Sequence, residues 1–481
     1  MKKALLILCL AGMLTACAPA QPTMTNVQNT AIATETPFLL PTFTALPLDT
    51  PLMIPTMQAL PLQTLVPTQM PALLPISQAT ETFPLDDLRM AYTVDGNLYV
   101  QNGSNSPKKL SNSGEDLSPM FSDDGEKIIF YRGKSQDKNS IFSINADGSD
   151  TQEIITKDWL DTLGKGTKAG HLAFVPNTHQ IIFNTYLCPE YSPSSNSGCT
   201  VGLFLTNSDT GEIKEIILPT LGGRLPWYGD SRWLGNFSIS PDGKLLAVAH
   251  VGQIDILNMD GKVIHQSIMK YSGDMPSELY PKMYWFSDSS GLIVALPAET
   301  DYRGPGYSGD PTYTIWRYTF DDNIATQILL EPSPVWIHME SNDVMSISPN
   351  REWIIYFADD CKLYKGNLLD GSTELLLPCE YYLPMRWSSD NIHFSGNESP
   401  RGSILGSVNG VLGYPPGYFV GWIDAKRFVY FSGLAYQNKA DIQLFTGEVE
   451  GETILSYESN VFVPNVPPFS YSFVFTVLEN K

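Results

Sequence analysis

The sequence predicts an all-β fold: a β-propeller of four-stranded blades, with eight blades favoured and seven possible. Three observations predict it. From about residue 88, short apolar runs alternate with turn residues and recur in units of four, spaced roughly 35–65 residues apart. Within most units one large apolar residue precedes a turn, and a β-type run is under way about seven residues later. The first unit lacks an opening run, while SYSFVFTVLE (470–479) is a lone strand able to supply it, so the C-terminal strand closes the ring. A β-sandwich is the competing architecture, but it gives no reason for so regular a spacing.

The chain opens MKKALLILCLAGMLTACAPA. Lys2 and Lys3 precede an apolar run, Ala4 to Leu14, that is too short for a mature membrane span of about 20 residues and reads as a secretory signal. Leu14-Thr15-Ala16-Cys17 resembles a bacterial lipobox. The resemblance implies a signal peptide over 1–16, diacylglycerol on the Cys17 thiol and acylation of the new amine. Two or three acyl chains anchor stably, at about 0.8 kcal/mol per buried CH₂. The expected location is the outer face of a membrane in the bacterial cell envelope.

Residues 17–85 are expected to carry the lipidated cysteine and a disordered tether. From 18 to 84 the only charges are Glu35, Asp49 and Glu81, and proline recurs through LPTFTALPLDTPLM and IPTMQALPLQTLVP. Proline removes donors and restricts φ, which disfavours helix and sheet. Fully extended at about 3.1 Å per residue, the tether reaches roughly 200 Å.

The propeller is expected over 86–481. Its anchors are Phe121, Phe174, Ile239, Phe286, Ile347, Trp387 and Trp422, followed by turns such as SDDGEK, SPDGKL and SPNREW. Only the Trp387 unit breaks step, with Ile392 arriving two residues early; merging it with a neighbour gives seven blades. The stretches SPDGKLLAV and FSDDGEKIIF…IFSINADGS resemble the WD-repeat-like propeller units of the TolB-type family. The resemblance covers most of 88–480 and implies a propeller, without implying a function. The α/β domain preceding the propeller in TolB has no counterpart here.

Strands one to four of a blade run outward from the axis, so its two hairpin turns share one face. These turns are tight: SPDG, ADGS, MDGK, LDGS. Asp123, Asp124, Asp147 and Asp242 therefore have a structural role, since such turns favour Asp and Gly. The opposite face carries long loops: 185–200, 219–234, 295–313 and 331–343. With the link 158–170 they present Trp159, Trp227, Tyr228, Arg224, Arg232, Tyr302, Arg303, Tyr307, Trp336 and His338, residue types suited to recognition. Trp285, Trp387 and Trp422 belong to first strands and are expected in the core.

Charge excludes one partner class. The chain has 30 basic and 51 acidic residues, net −21, which repels phosphate backbones, so nucleic acid is not an expected partner. Cys188 with Cys199, and Cys361 with Cys379, suit two disulfides in an exported protein; the latter pair flanks a hairpin turning at Asp370-Gly371. No ligand spacing suggests a metal, and no cofactor is expected. There is no Gly-x-Ser-x-Gly and no His-Glu-x-x-His. The expectation is a monomeric, membrane-anchored propeller binding protein, peptide or glycan on its loop-rich face. A glycosidase-like enzyme is the alternative, with Glu190, Glu299, Asp301, Glu340 and Asp343 as candidate carboxylates; an envelope-assembly component is another.

Overall fold

A hairpin whose partners stand seven residues apart is the unit of the structure. In the computed structural model Phe121 pairs with Ile128, Phe174 with Ile181, Ile239 with Leu246, Ile347 with Ile354 and Trp387 with Phe394. The spacing in the sequence is thus a strand register. Three details differ from expectation, the first being that Trp422 pairs with Phe428, six residues on and not seven. In the fifth unit the anchor is Trp285, which pairs with Leu292. Phe286 occupies the following turn position, its N–H donating to the Gly291 carbonyl at 2.9 Å. The seventh unit does not break step. Ile392 is 44% exposed in the turn, and the strand begins at His393. A β-branched residue in a turn imitates a strand start by composition alone.

The structure describes residues 77–78, 88–133, 140–187, 200–221, 237–250, 252–271, 281–297, 312–331, 335–336, 347–358, 362–377, 383–398, 402–415, 417–431, 440–450, 453–466 and 473–477. Contacts divide the chain into Met1–Gln69, wholly outside the described residues, and Met70–Lys481. The second unit is the propeller. No helix among the described residues is long and apolar enough to cross a membrane.

The eight blades follow in chain order. Blade one joins Phe473–Val477 to Leu88–Val94, Asn97–Asn102 and Lys108–Lys109, so the C-terminal strand is its innermost. The innermost strands of blades two to five are Asp116–Phe121, Lys168–Phe174, Phe237–Ile239 and Lys282–Trp285. Blade six starts at the isolated Ile347 bridge. Blades seven and eight start with Leu383–Trp387 and Tyr418–Trp422. The Trp387 unit is a sheet of its own, which removes the seven-blade count. Blades five and six are joined by Val335–Trp336, which pairs with both.

The expected tether contains one described element. Ser77–Gln78 pairs in parallel with Leu455 and Ser456 on the outer strand of blade eight. Backbone pairing does not require a particular side-chain pattern, so composition gave no sign of it.

Each strand sends alternate residues to opposite sides of its blade. Ile181 and Phe183 pack toward blade two, whereas Ile182 packs toward blade four. Eight apolar clusters fill the eight blade interfaces around the ring. The last of these joins blade eight to blade one through Ile423, Val429, Met90 and Tyr92. Full burial of each large side chain contributes about 1.5–3 kcal/mol. Trp285 and Trp387 are buried as expected, while Trp422 is half-buried against Phe419 and Phe428.

Trp159 departs from the recognition role. It lies in the short helix Lys157–Thr162, whose N-cap Thr156 accepts the Trp159 N–H at 3.0 Å. Its ring meets Phe204 edge-on at 5.0 Å and packs on the core between blades two and three. A tryptophan next to the buried Leu160 finds apolar area inward.

Candidate functional site

Closure of the ring brings the innermost strands of the blades around one axis. A cavity of about 270 Å³ lies against the innermost strands of blades three, four and five. His171, Phe237, Lys282 and Tyr284 line it, together with Phe174 and Met283. The volume is near the lower end of small-ligand pockets, about 300 Å³.

The positions follow from the strands. Lys282 opens its strand and is buried, with Ala295 as its neighbour on the second strand. Burial lowers its pKa to about 7, because an ammonium loses hydration there. Burial pushes Tyr284 up to about 12, against the opposing effect of Arg351. Arg351 reaches back from the first turn of blade six. It donates through Nε to the Trp285 carbonyl at 2.6 Å and through Nη1 to the Ser348 carbonyl at 2.8 Å. Its guanidinium stands 5.8 Å from the Tyr284 ring centre. The His171 ring lies 5.2 Å from Phe237, and its backbone N–H donates to Asn184 Oδ1 at 2.7 Å. An ammonium, an imidazole and a phenol thus share one wall with aromatic carbon, an arrangement able to bind both a polar group and an apolar body.

Among the described innermost strands, Asp116 is the one carboxylate. It is fully buried, and Arg132 Nε donates to it at 2.7 Å while the Ser111 hydroxyl donates to its second oxygen.

The tight-turn face does structural work, as the sequence predicted for its aspartates. Ser122 Oγ donates to Asp124 at 2.6 Å and accepts the Lys127 N–H at 3.0 Å; Ser240 with Asp242 and Ser348 with Asn350 repeat the arrangement. Neighbouring turns are stapled together. The Asn177 N–H donates to Asp123 at 2.9 Å, the Asp242 N–H to Ser289 Oγ at 3.2 Å, and the Asn350 N–H to Asn391 Oδ1 at 2.6 Å. His179 joins blade three to blade two, with Nε2 3.0 Å from Asp124 and Nδ1 2.9 Å from Asp209; Lys127 meets Asp209 at 2.8 Å. Asp124, Glu126 and His179 bring one ligand atom each within 4.8 Å of one another. Both His179 nitrogens already meet carboxylates, so the group acts first as a staple. Partial burial alone would raise Asp124, but hydrogen bonds from Ser122, the Glu126 N–H and His179 outweigh it and hold the carboxyl at about 2.

Most of the residues expected on the recognition face lie outside the described ones. Arg224, Trp227, Tyr228, Arg232, Tyr302, Arg303, Tyr307 and His338 lie outside the described residues, as do Cys17, Cys188, Cys199, Cys361 and Cys379. Glu190, Glu299, Asp301, Glu340 and Asp343 lie outside them too. Trp336 is placed by its backbone in the strand joining blades five and six. The cavity residues were missed because HLAF and MYW read as ordinary first strands and Lys282 as the end of a link between blades. The available signal was a lysine or histidine within a run that opens a blade.

No known protein family profile matches the sequence. No curated protein matches it either. Solved structures with propeller-like folds do resemble it. An oligogalacturonate lyase from Vibrio parahaemolyticus aligns with TM-score 0.41 and 13% identity, over 64% of this chain and 82% of that one. A eukaryotic initiation factor aligns with TM-score 0.49 and 10% identity, over 82% and 99% of the two chains. A prolyl endopeptidase aligns with TM-score 0.44 and 9% identity, over 74% and 50%. With TM-scores below 0.5 and identities of 9–13% in these three, the fold rests on the strand pairing of this chain itself.

Proposed function

We propose that the protein is an exported bacterial lipoprotein, anchored through Cys17, that displays a monomeric TolB-type propeller and binds a protein, peptide or glycan without catalysis. The lipobox-like Leu14-Thr15-Ala16-Cys17 and the proline-rich tether support the anchoring. The Leu363–Leu377 register supports a disulfide between Cys361 and Cys379 just beyond it. The observation that carries binding is the cavity, with the buried Lys282 and the half-buried His171 and Tyr284 drawn from two blades. In this reading the loop residues Trp227, Tyr302, Tyr307 and Trp336 also take part in binding.

The test is binding of the full chain, in detergent micelles, to arrays of envelope glycans and extracellular peptides. One variant replaces Trp227, Tyr302, Tyr307 and Trp336 with Ala; another carries His171→Ala and Tyr284→Phe. Binding weakened in both, at unchanged melting temperature, is the expected result. Binding untouched by both, or no binding by the parent, overturns the reading. Cys17→Ala is expected to release the protein from membranes into the soluble fraction.

A further inference from the structure

We propose that the outer edge of blade eight accepts an extended, proline-free segment of a protein partner as an added strand, which displaces the chain's own Ser77–Gln78. This goes beyond the binding role proposed above. The surface belongs to the outermost strand of blade eight, whereas the cavity lies against the innermost strands of blades three, four and five. That outermost strand, Thr453–Val466, is 14 residues long, against two to nine for the outermost strands of the other blades. Glu458 is its one charged residue. Natural sheet edges are kept short or charged, because a row of unpaired N–H and C=O groups is a template for another chain. The edge of blade eight is neither.

The chain itself uses this edge in the manner proposed. Ser77 pairs in parallel with Leu455 and Gln78 with Ser456, as the fifth strand of the sheet. On the inner side the ladder is unbroken from Thr453 to Glu458 and shifts register beyond Glu458. Such a shift bends a strand and interrupts pairing. The acceptor is therefore Thr453–Glu458, about 20 Å of edge at about 3.3 Å per residue. Among the described residues, only Leu455 and Ser456 of it have a partner on the outer side. A longer segment gains pairs on both flanks of these two, and that gain drives the displacement. Backbone groups supply the pairing, so the partner needs an extended stretch with no proline at the paired positions. The chain's own segment meets this demand: ISQATETF, residues 76–83, lies between Pro75 and Pro84 and carries one charge, Glu81. A glycan has no such backbone, so the chemistry is that of a polypeptide.

The probe is a synthetic, fluorescein-labelled peptide of sequence ISQATETF, titrated into the full chain in micelles and read by fluorescence anisotropy. In the parent, Ser77–Gln78 competes as a strand of the same molecule. The variant Ser77→Pro with Gln78→Pro loses both backbone donors there. It is expected to bind the peptide about tenfold more tightly, the scale of one or two hydrogen bonds no longer competed for. Two further peptides carry N-methyl groups on alternate residues, one on the odd set and one on the even set. One set is expected to abolish binding and the other to keep it, because alternate N–H groups of a strand point to opposite edges. Amide hydrogen exchange should slow at Thr453–Glu458 when the peptide binds. No binding by the proline variant, equal binding by parent and variant, binding kept by both methylated peptides, or protection outside Thr453–Glu458 overturns the proposal. Dimerisation of the proline variant in light scattering, without peptide, would make a second copy the occupant and also overturns it. His171→Ala with Tyr284→Phe is expected to leave peptide binding unchanged; a loss there would move the peptide to the cavity and overturn the edge site. If the edge binds nothing while array ligands still depend on His171 and Tyr284, this proposal fails and the binding role stands.

Discussion

Met90 and Phe475 are register partners across the seam of the ring, although they come from opposite ends of the propeller sequence. The pairing makes the first blade depend on the last strand, and Phe475 also packs into the interface with blade eight. Phe475→Ala is therefore expected to destabilise the entire propeller, not one blade. The side chain is half-buried, so the cost should be about 2 kcal/mol, below the roughly 3–5 of a fully buried phenylalanine. Chemical denaturation should show a single transition at lower denaturant. A transition confined to part of the signal would show that the seam does not couple the ring.

Phe394 and Ile392 test the register of blade seven. Phe394 is fully buried opposite Trp387, whereas Ile392 is an exposed turn residue. Phe394→Ala should cost about 3–5 kcal/mol, and Ile392→Asn should stay within about 0.5 kcal/mol of the parent. Urea melts of both variants check this; a larger loss from Ile392→Asn would favour the register read from the sequence.

His179 gives the propeller a pH-dependent staple. Burial alone lowers its pKa, but the hydrogen bonds to Asp209 and Asp124 outweigh burial and raise it above its ordinary value. A histidine raised on folding stabilises fully below its unfolded value near 6.5 and loses that contribution as pH rises through the folded value. Asp124 and Asp209 are lowered, so their contribution fades as acid protonates them. The staple should be strongest between roughly pH 4 and 6.5. The groups are partly exposed, so less than about 1 kcal/mol is expected. Melting of the parent minus His179→Gln, measured from pH 5 to 8, should shrink as pH rises. A flat difference would dissociate the staple from titration.

Lys282 should leave the opposite signature. Its folded pKa, about 7, lies below the ordinary lysine value, so between the two the unfolded chain binds the extra proton. Stability then rises with pH across that window, from about 7 to about 10.4. His171 and Tyr284 face the same cavity and stay in place in the test variant. Lys282→Met should remove this slope and raise stability at neutral pH by a few kcal/mol at most, about 1.4 per unit of displacement. Parallel denaturation curves for parent and variant from pH 7 to 9 would refute a buried ammonium at this position.

Much of the wheel was legible because its signals are local. A tight turn after Phe121 or Ile239 needs polar residues and glycine within a few positions, and a hairpin fixes the distance to Ile128 or Leu246. The errors were local as well. Trp285 and Phe286 are adjacent and both large, so composition could not say which ended the strand. Ile392 has the chemistry of a strand residue but occupies a turn. Trp159 looked like a recognition residue, and only its contact with Phe204 shows the inward packing.

By itself the sequence determined the all-β class, the four-strand unit, the closing role of the C-terminal strand and the structural duty of the turn aspartates. Each depends on short-range backbone geometry or on alternation along one strand. Only the tertiary structure decided that the Trp387 unit is a separate blade, that Ser77–Gln78 adds to blade eight, and that His171, Lys282 and Tyr284 share one cavity. These depend on packing between strands far apart in the chain. The burial that moves a lysine's pKa arises from the whole ring, and no single segment records it.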